Sequence, residues 1–143
     1  MTILEKIENF CAYQERCEAE IREKLYALKV SKYESDKIVK ELKEENFFDD
    51  ARYAKAYARG KVRFNLYGKK KIEMELNKKH ISKDIIQKAI DNISDADYSE
   101  SLHKLIAKRQ RMLKNESDEY KKEQKILQYI LSHGFSYEDY KKL

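Results

Sequence analysis

Proline is absent from these 143 residues, glycine occurs only at Gly60, Gly68 and Gly134, and cysteine only at Cys11 and Cys17. A chain so poor in the two residues that end helices, and so rich in Lys, Glu, Leu, Ala and Ile, has the composition of helices and not of turn-rich β structure. Two cysteines six positions apart are too few for a disulfide framework or a paired metal site, so both are read as small core thiols. No apolar run approaches the roughly 18 residues that a bilayer crossing needs. The first residues, Met1-Thr2-Ile3-Leu4-Glu5-Lys6, are amphipathic from the first turn and are read as no signal peptide, so a cytoplasmic location is expected.

Charge is abundant. With 40% of residues charged, too few apolar side chains remain for one large globular core, and a thin, extended architecture is expected. Disorder is rejected because eleven tyrosines, five phenylalanines and regular apolar spacing remain. The net charge of +5 is unevenly spread: residues 1–50 carry nine Lys/Arg against thirteen Asp/Glu, residues 51–80 ten against two, and residues 81–143 twelve against eleven. The basic character is local and suits a face turned toward an anionic partner.

Internal repetition organises the chain. Ile21, Leu25, Val30 and Ser31 stand at offsets 0, +4, +9 and +10, and the same offsets recur at Ile72, Leu76, Ile81 and Ser82 and again at Ile126, Ile130, Phe135 and Ser136. Offsets 0 and +4 share one helical stripe, the apolar residue at +9 sits in the connection, and the serine caps the next helix. Ser31 and Glu34 read as a capping box, while Asp84 and Asp139 stand in the first turns of the later copies. A further helix precedes each corner, around residues 3–14, 49–65 and 98–114. The expected fold is all-α, with three tandem three-helix units at 1–47, 48–95 (basic) and 96–143 stacked in an elongated, curved array. Apolar stripes at Ile3, Ile7, Phe10; Ile38, Val39, Leu42; Tyr53, Tyr57; Ile85, Ala89, Ile93; and Leu102, Leu105, Ile106 keep helical spacing.

Function is expected on the basic middle. Arg52, Lys55, Arg59 and Arg63 form one stripe of the helix that starts near Asp49, beside an apolar stripe of Tyr53, Ala54, Tyr57 and Ala58. Lys61 lies on the same helix. Lys69, Lys70 and Lys71 follow Gly68 at a helix start, where the dipole disfavours cations and a partner's charge is expected to compensate. A third cluster is Lys108, Arg109 and Arg111. Phosphate or an acidic protein groove would meet these cations. Tyrosines at helical spacing belong more readily to a core than to a base-stacking platform. Catalytic patterns are missing: His80, His103 and His133 are scattered, and no P-loop or dinucleotide glycine motif occurs. Asp49 and Asp50 are read as caps and not as metal ligands, and no enzyme activity, cofactor or metal is expected.

Taken in order, Phe47-Phe48-Asp49-Asp50-Ala51-Arg52-Tyr53-Ala54, then Gly68, Ile72, Leu76, Ile81 and Ser82, and finally His133-Gly134-Phe135, the chain resembles the RecX family of bacterial RecA regulators. It departs from the family pattern at Lys29 and His80, where glycine commonly ends the second helix; Gly134 keeps that glycine. Asn46 also stands at a frequent glycine position. The resemblance implies a curved stack of helical triplets lying in the groove of a RecA filament on single-stranded DNA. There it would bridge protomers and inhibit strand exchange and ATP hydrolysis, by blocking extension or promoting disassembly. The implied partner is the RecA filament, with single- or double-stranded DNA left open as a further partner, no membrane and a monomeric chain. A direct nucleic-acid-binding helical repeat without a recombinase partner uses the same cations and stands as the alternative.

Overall fold

The computed structural model describes residues 1–143 as nine α-helices with no strand. These are α1 (Ile3–Tyr13), α2 (Glu18–Ala27), α3 (Lys32–Glu44), α4 (Asp50–Asn65), α5 (Lys69–Lys78), α6 (Lys83–Asp91), α7 (Asp95–Met112), α8 (Glu119–Ser132) and α9 (Tyr137–Lys141). None is long and apolar enough to cross a membrane.

Local chemistry sets the boundaries. Thr2, Ser31, Ser82, Ser94 and Ser136 each accept a hydrogen bond from the backbone N–H three residues on, while Asp49 and Asp118 each accept two. Each such oxygen satisfies donors that the helix itself leaves orphaned. The capping box expected at Ser31 is only half formed: Ser31 accepts from the Glu34 N–H, but the Glu34 carboxylate stays in solvent. A full reciprocal box forms at Ser136 and Asp139, with bonds of 3.0 and 2.8 Å.

Helix ends explain the departures at Lys29, His80 and Asn46. All three adopt a left-handed conformation, with φ of 62°, 59° and 59°, and Gly134 has φ of 95°. Lys29 N–H donates to the Tyr26 carbonyl and Val30 N–H to the Leu25 carbonyl, closing α2. Gly134 and Phe135 make the same pair to Leu131 and Ile130 at the end of α8. The turn is therefore kept where the glycine is lost, at a cost of about 1 kcal/mol for each left-handed side chain.

The repeated apolar positions all turn inward. Ile21, Leu25, Ile72, Leu76 and Ile130 are fully buried and Ile126 nearly so, while Val30 is only half-buried beside its equivalents Ile81 and Phe135. Apart from Ile126, they divide between two cores. Ile7, Cys11, Ile21, Leu25, Val39, Leu42 and Phe48 make a smaller core among α1, α2 and α3. A second core of 16 buried residues runs through α4 to α8 and includes Tyr53, Ala58, Leu76, Ile86, Tyr98, Leu105 and Phe135. Cys17, at the N-cap of α2, packs into this larger core and not the one beneath its own helix.

Candidate partner-binding surface

Helix α4 carries the cations because its other face is committed to packing. Tyr53, Ala54, Ala58 and Val62 are buried, and the two alanines let α6 pack closely against α4. The remaining exposed stripe is Arg52, Lys55, Arg59 and Arg63. Two of its members are held by other helices. Arg52 Nε lies 2.7 Å from the Glu15 carboxylate, and its guanidinium also reaches the Asn46 carbonyl at 3.5 Å. Arg63 meets the Asp97 carboxylate at 2.9 Å, tying α4 to the first turn of α7. Lys55 and Arg59 have no carboxylate within ion-pair distance. With Arg63 they line an open cleft whose far wall is Asn92, Ile93, Ser94 and Asp97. An anion entering it would meet two uncommitted positive charges.

The other basic residues do not merge with that stripe. Lys61, two residues past Arg59 and so across the helix, stands 5.3 Å from the Tyr57 ring centroid and 5.5 Å from that of Tyr67. Lys71 stands 4.4 Å from the Tyr67 ring and Lys69 4.7 Å from that of Tyr98. Each ammonium thus stands over the face of an aromatic ring, where the ring's quadrupole attracts it. Lys70 points elsewhere, toward Glu73, Met74 and Asn77 in the α5–α6 groove. On α7, Lys108 and Arg111 are exposed, but the Arg109 guanidinium packs 5.1 Å from the Tyr129 ring centroid of α8.

The start of α5 is anchored inside the molecule through its backbone donors. The end of α8 abuts the start of α5: Gly68 N–H donates to the His133 carbonyl at 2.7 Å and Lys70 N–H to the Gly134 carbonyl at 3.1 Å. Lys69 N–H donates to the Tyr98 hydroxyl at 3.0 Å, which itself donates to the Asp139 carboxylate at 3.1 Å. The carbonyls ending α8 and the Tyr98 hydroxyl thus satisfy backbone donors that open α5, and the negative end of the α8 dipole lies at that helix start. Burial, and then the charge of Asp139, raise the Tyr98 pKa and keep that hydroxyl protonated.

The two tyrosines of α4 turn inward. Tyr53 is buried and donates toward the Glu20 carboxylate at 3.4 Å, and its pKa is raised by burial first and by Glu20 next. Tyr57 is half-buried and its pKa is pushed up to about 12, by burial and then by Glu75. Asp49 and Asp50 both serve helix N-termini: Asp49 caps α4 itself, and Asp50 accepts from the Glu18 N–H of α2 at 2.9 Å. No three His, Cys, Asp or Glu residues come together as a metal site would need. The ion-pair partners Glu15 and Asp97 are invisible to helical periodicity, because they lie 37 and 34 residues from the arginines they hold.

Comparison with known proteins agrees with this architecture. A family model described as RecX, second three-helix domain, matches residues 49–90, the span from the cap of α4 nearly to the end of α6. The chain is 33% identical over 124 residues to the regulatory protein RecX of Clostridium perfringens (strain 13 / Type A), covering 86% of this chain and 58% of that protein. It is 30% identical over 137 residues to the regulatory protein RecX of Listeria welshimeri, covering 94% and 50%. The chain thus spans little more than half the length of these curated relatives. A crystal structure of regulatory protein RecX superimposes with a TM-score of 0.87 at 28% identity, over 96% of this chain and 68% of that one. RecX from Lactobacillus salivarius gives 0.83 at 27%, over 97% and 90%. The chain is thus similar along nearly its whole length to regulatory proteins named RecX, and its α4–α6 segment matches the second three-helix domain of that family.

Proposed function

We propose that this chain binds the RecA filament on single-stranded DNA and inhibits its recombinase and ATPase activities, by limiting extension or promoting disassembly. Three tandem units at 1–47, 48–95 and 96–143 would let one monomer reach neighbouring protomers of the polymer. Engaging several at once raises affinity for filament over free protomer without any new type of interaction. The observation that carries the reading is the α4 cleft, where Lys55 and Arg59 stand uncommitted on the three-helix segment that matches the family.

Arg52 and Arg63 are poor probes of binding because both hold ion pairs within the fold. Lys55→Ala with Arg59→Ala removes charge while leaving the buried face of α4 intact. The test is DNA-dependent ATP hydrolysis by the cognate RecA, titrated with this chain below stoichiometry. The parent inhibits at low ratios, and the double variant, with unchanged helicity, loses most of that inhibition. If the pair touches single-stranded phosphates, the salt slope of binding falls by about 0.7 for each phosphate no longer neutralised. Weakened binding with an unchanged slope places the cations against protein. Salt-sensitive oligonucleotide binding by a parent that leaves RecA turnover untouched would replace this reading with direct nucleic-acid binding.

A further inference from the structure

A second charged surface lies on the smaller core, away from α4. Helix α1 has three faces: Ile3, Ile7 and Cys11 pack inward, Glu5 and Glu8 stand on one flank, and Lys6, Asn9, Phe10 and Tyr13 on the other. That last flank meets Lys24 of α2 and Leu28 at the C-cap of that helix across an open groove. Its floor is apolar. Tyr13 is 83% exposed, and Phe10 is half-buried under the Arg16 guanidinium, which sits 3.7 Å from the ring centroid and donates from Nε to the Phe10 carbonyl at 2.9 Å. Lys24 Nζ lies 5.6 Å from the same ring.

The charges around this groove are segregated. Lys6, Arg16 and Lys24 have no carboxylate within ion-pair distance, although residues 1–50 hold more acids than bases. Several nearby acids are occupied elsewhere: Glu15 by Arg52, Glu18 and Asp36 by Arg22, and Glu20 by the Cys17 N–H, Tyr53 and Lys79, while Glu5 and Glu8 stand on the opposite flank of α1. We propose that the α1–α2 groove binds a short acidic segment of a partner protein that carries an aromatic or long aliphatic anchor. The anchor covers Phe10 and Tyr13 while its flanking carboxylates meet Lys6, Arg16 and Lys24. A polynucleotide suits the groove less well. Arg16 already covers one face of Phe10 where a base would stack, and the acidic surroundings repel an extended polyanion but admit a short peptide. The proposal rests on a different helix pair from the α4 cleft and stands or falls separately from RecA inhibition.

The probe is the synthetic peptide acetyl-Asp-Phe-Asp-Glu-Leu-Asp-amide, titrated into the full ¹⁵N-labelled chain and followed by amide shifts. Saturating shifts are expected at Lys6, Asn9, Tyr13, Arg16, Lys24 and Leu28, with the α4 amides unmoved. Lys6→Glu with Lys24→Glu should weaken binding by about tenfold, and Tyr13→Ala by several fold, since both sites are solvent-facing and leave the core intact. A peptide with lysine at each acidic position should not bind. The proposal is overturned if no shift appears at about 1 mM peptide, a concentration that would reveal even a weak site. It is equally overturned if the shifts fall on α4, if the double variant binds like the parent, or if a twelve-residue oligothymidine or anionic phospholipid vesicles move the same amides as strongly as the peptide.

Discussion

Two joints hold this chain together, and they are built from different materials. The joint between the smaller and larger cores is mostly polar: Glu15 to Arg52, Glu20 to Lys79 and Tyr53, and the Asp50 carboxylate capping α2. Cys17 and the half-buried Ala19 supply its apolar part. The joint among α5, α7, α8 and α9 is a continuation of the larger core, with Tyr98 packed 4.9 Å from Phe135 and backbone bonded to backbone across Gly68 and Gly134. Half-exposed ion pairs contribute at most about 1 kcal/mol each, whereas one buried aliphatic side chain contributes roughly 1.5–3 kcal/mol. The first joint can therefore open alone. The second cannot part without exposing core and leaving helix-end groups unpaired.

Leucine truncation should separate the two cores most clearly. Leu25→Ala and Leu76→Ala each remove a fully buried side chain and should cost roughly 2–5 kcal/mol. Their reach should differ. In hydrogen exchange, Leu25→Ala should deprotect α1 to α3 and spare α4 to α8, while Leu76→Ala should deprotect α4 to α8 together. Equal loss along the chain in Leu25→Ala would mean that the cores unfold as one.

Glycine substitutions probe the second joint. A Cβ on Gly68 would run into the backbone of Gly134 and Phe135, and Gly68→Ala should cost about 3 kcal/mol in a urea titration. Gly60 lies inside α4 with open space around it, so Gly60→Ala should instead stabilise by about 0.5–1 kcal/mol. A mild effect at Gly68 would show that α5 and α8 do not meet as closely as described.

Asp50→Ala tests the first joint. It removes the carboxylate that caps α2 from α4 and should cost about 1 kcal/mol, read as faster exchange in α2 without change in α8. An effect confined to α4 would make Asp50 a local residue. The smallest effect is at high pH. Burial holds the Tyr57 pKa near 12, above its ordinary value of 10.0, so the folded state keeps a proton that the unfolded state releases. That contribution is complete below pH 10 and is lost as pH rises through 12. Tyr57→Phe should make stability in this window fall less steeply, measured as urea midpoints against pH.

Much of the fold was legible residue by residue. The corner residues Ile21, Leu25 and Ser31 and their two sets of equivalents predicted which side chains go inward and where the next helix starts, because helical period and capping act within a few residues. The candidate surface was less legible. A stripe of four cations on α4 follows from spacing alone, but spacing does not show that Glu15 and Asp97 claim Arg52 and Arg63 and leave Lys55 and Arg59 uncommitted. Nor does it show that Lys69 and Lys71 settle over tyrosine rings while Lys70 does not. Those outcomes depend on which helices meet.

By itself, then, the sequence determined the helices, their caps, the inward stripes, the concentration of positive charge in residues 51–80 and the family resemblance. These depend on residue types at short range, where backbone hydrogen bonding and helical period leave little choice. Only the tertiary structure decided that three similar corners build two cores and not three. The donors at the starts of α2 and α5 find long-range acceptors in different places: the Glu18 N–H of α2 at the Asp50 carboxylate on α4, and those of α5 at the carbonyls ending α8 and the hydroxyl of Tyr98. An orphaned helix-end donor must be satisfied wherever an acceptor comes within reach, and that reach spans 32 residues in one case and the gap between Gly68 and Gly134 in the other.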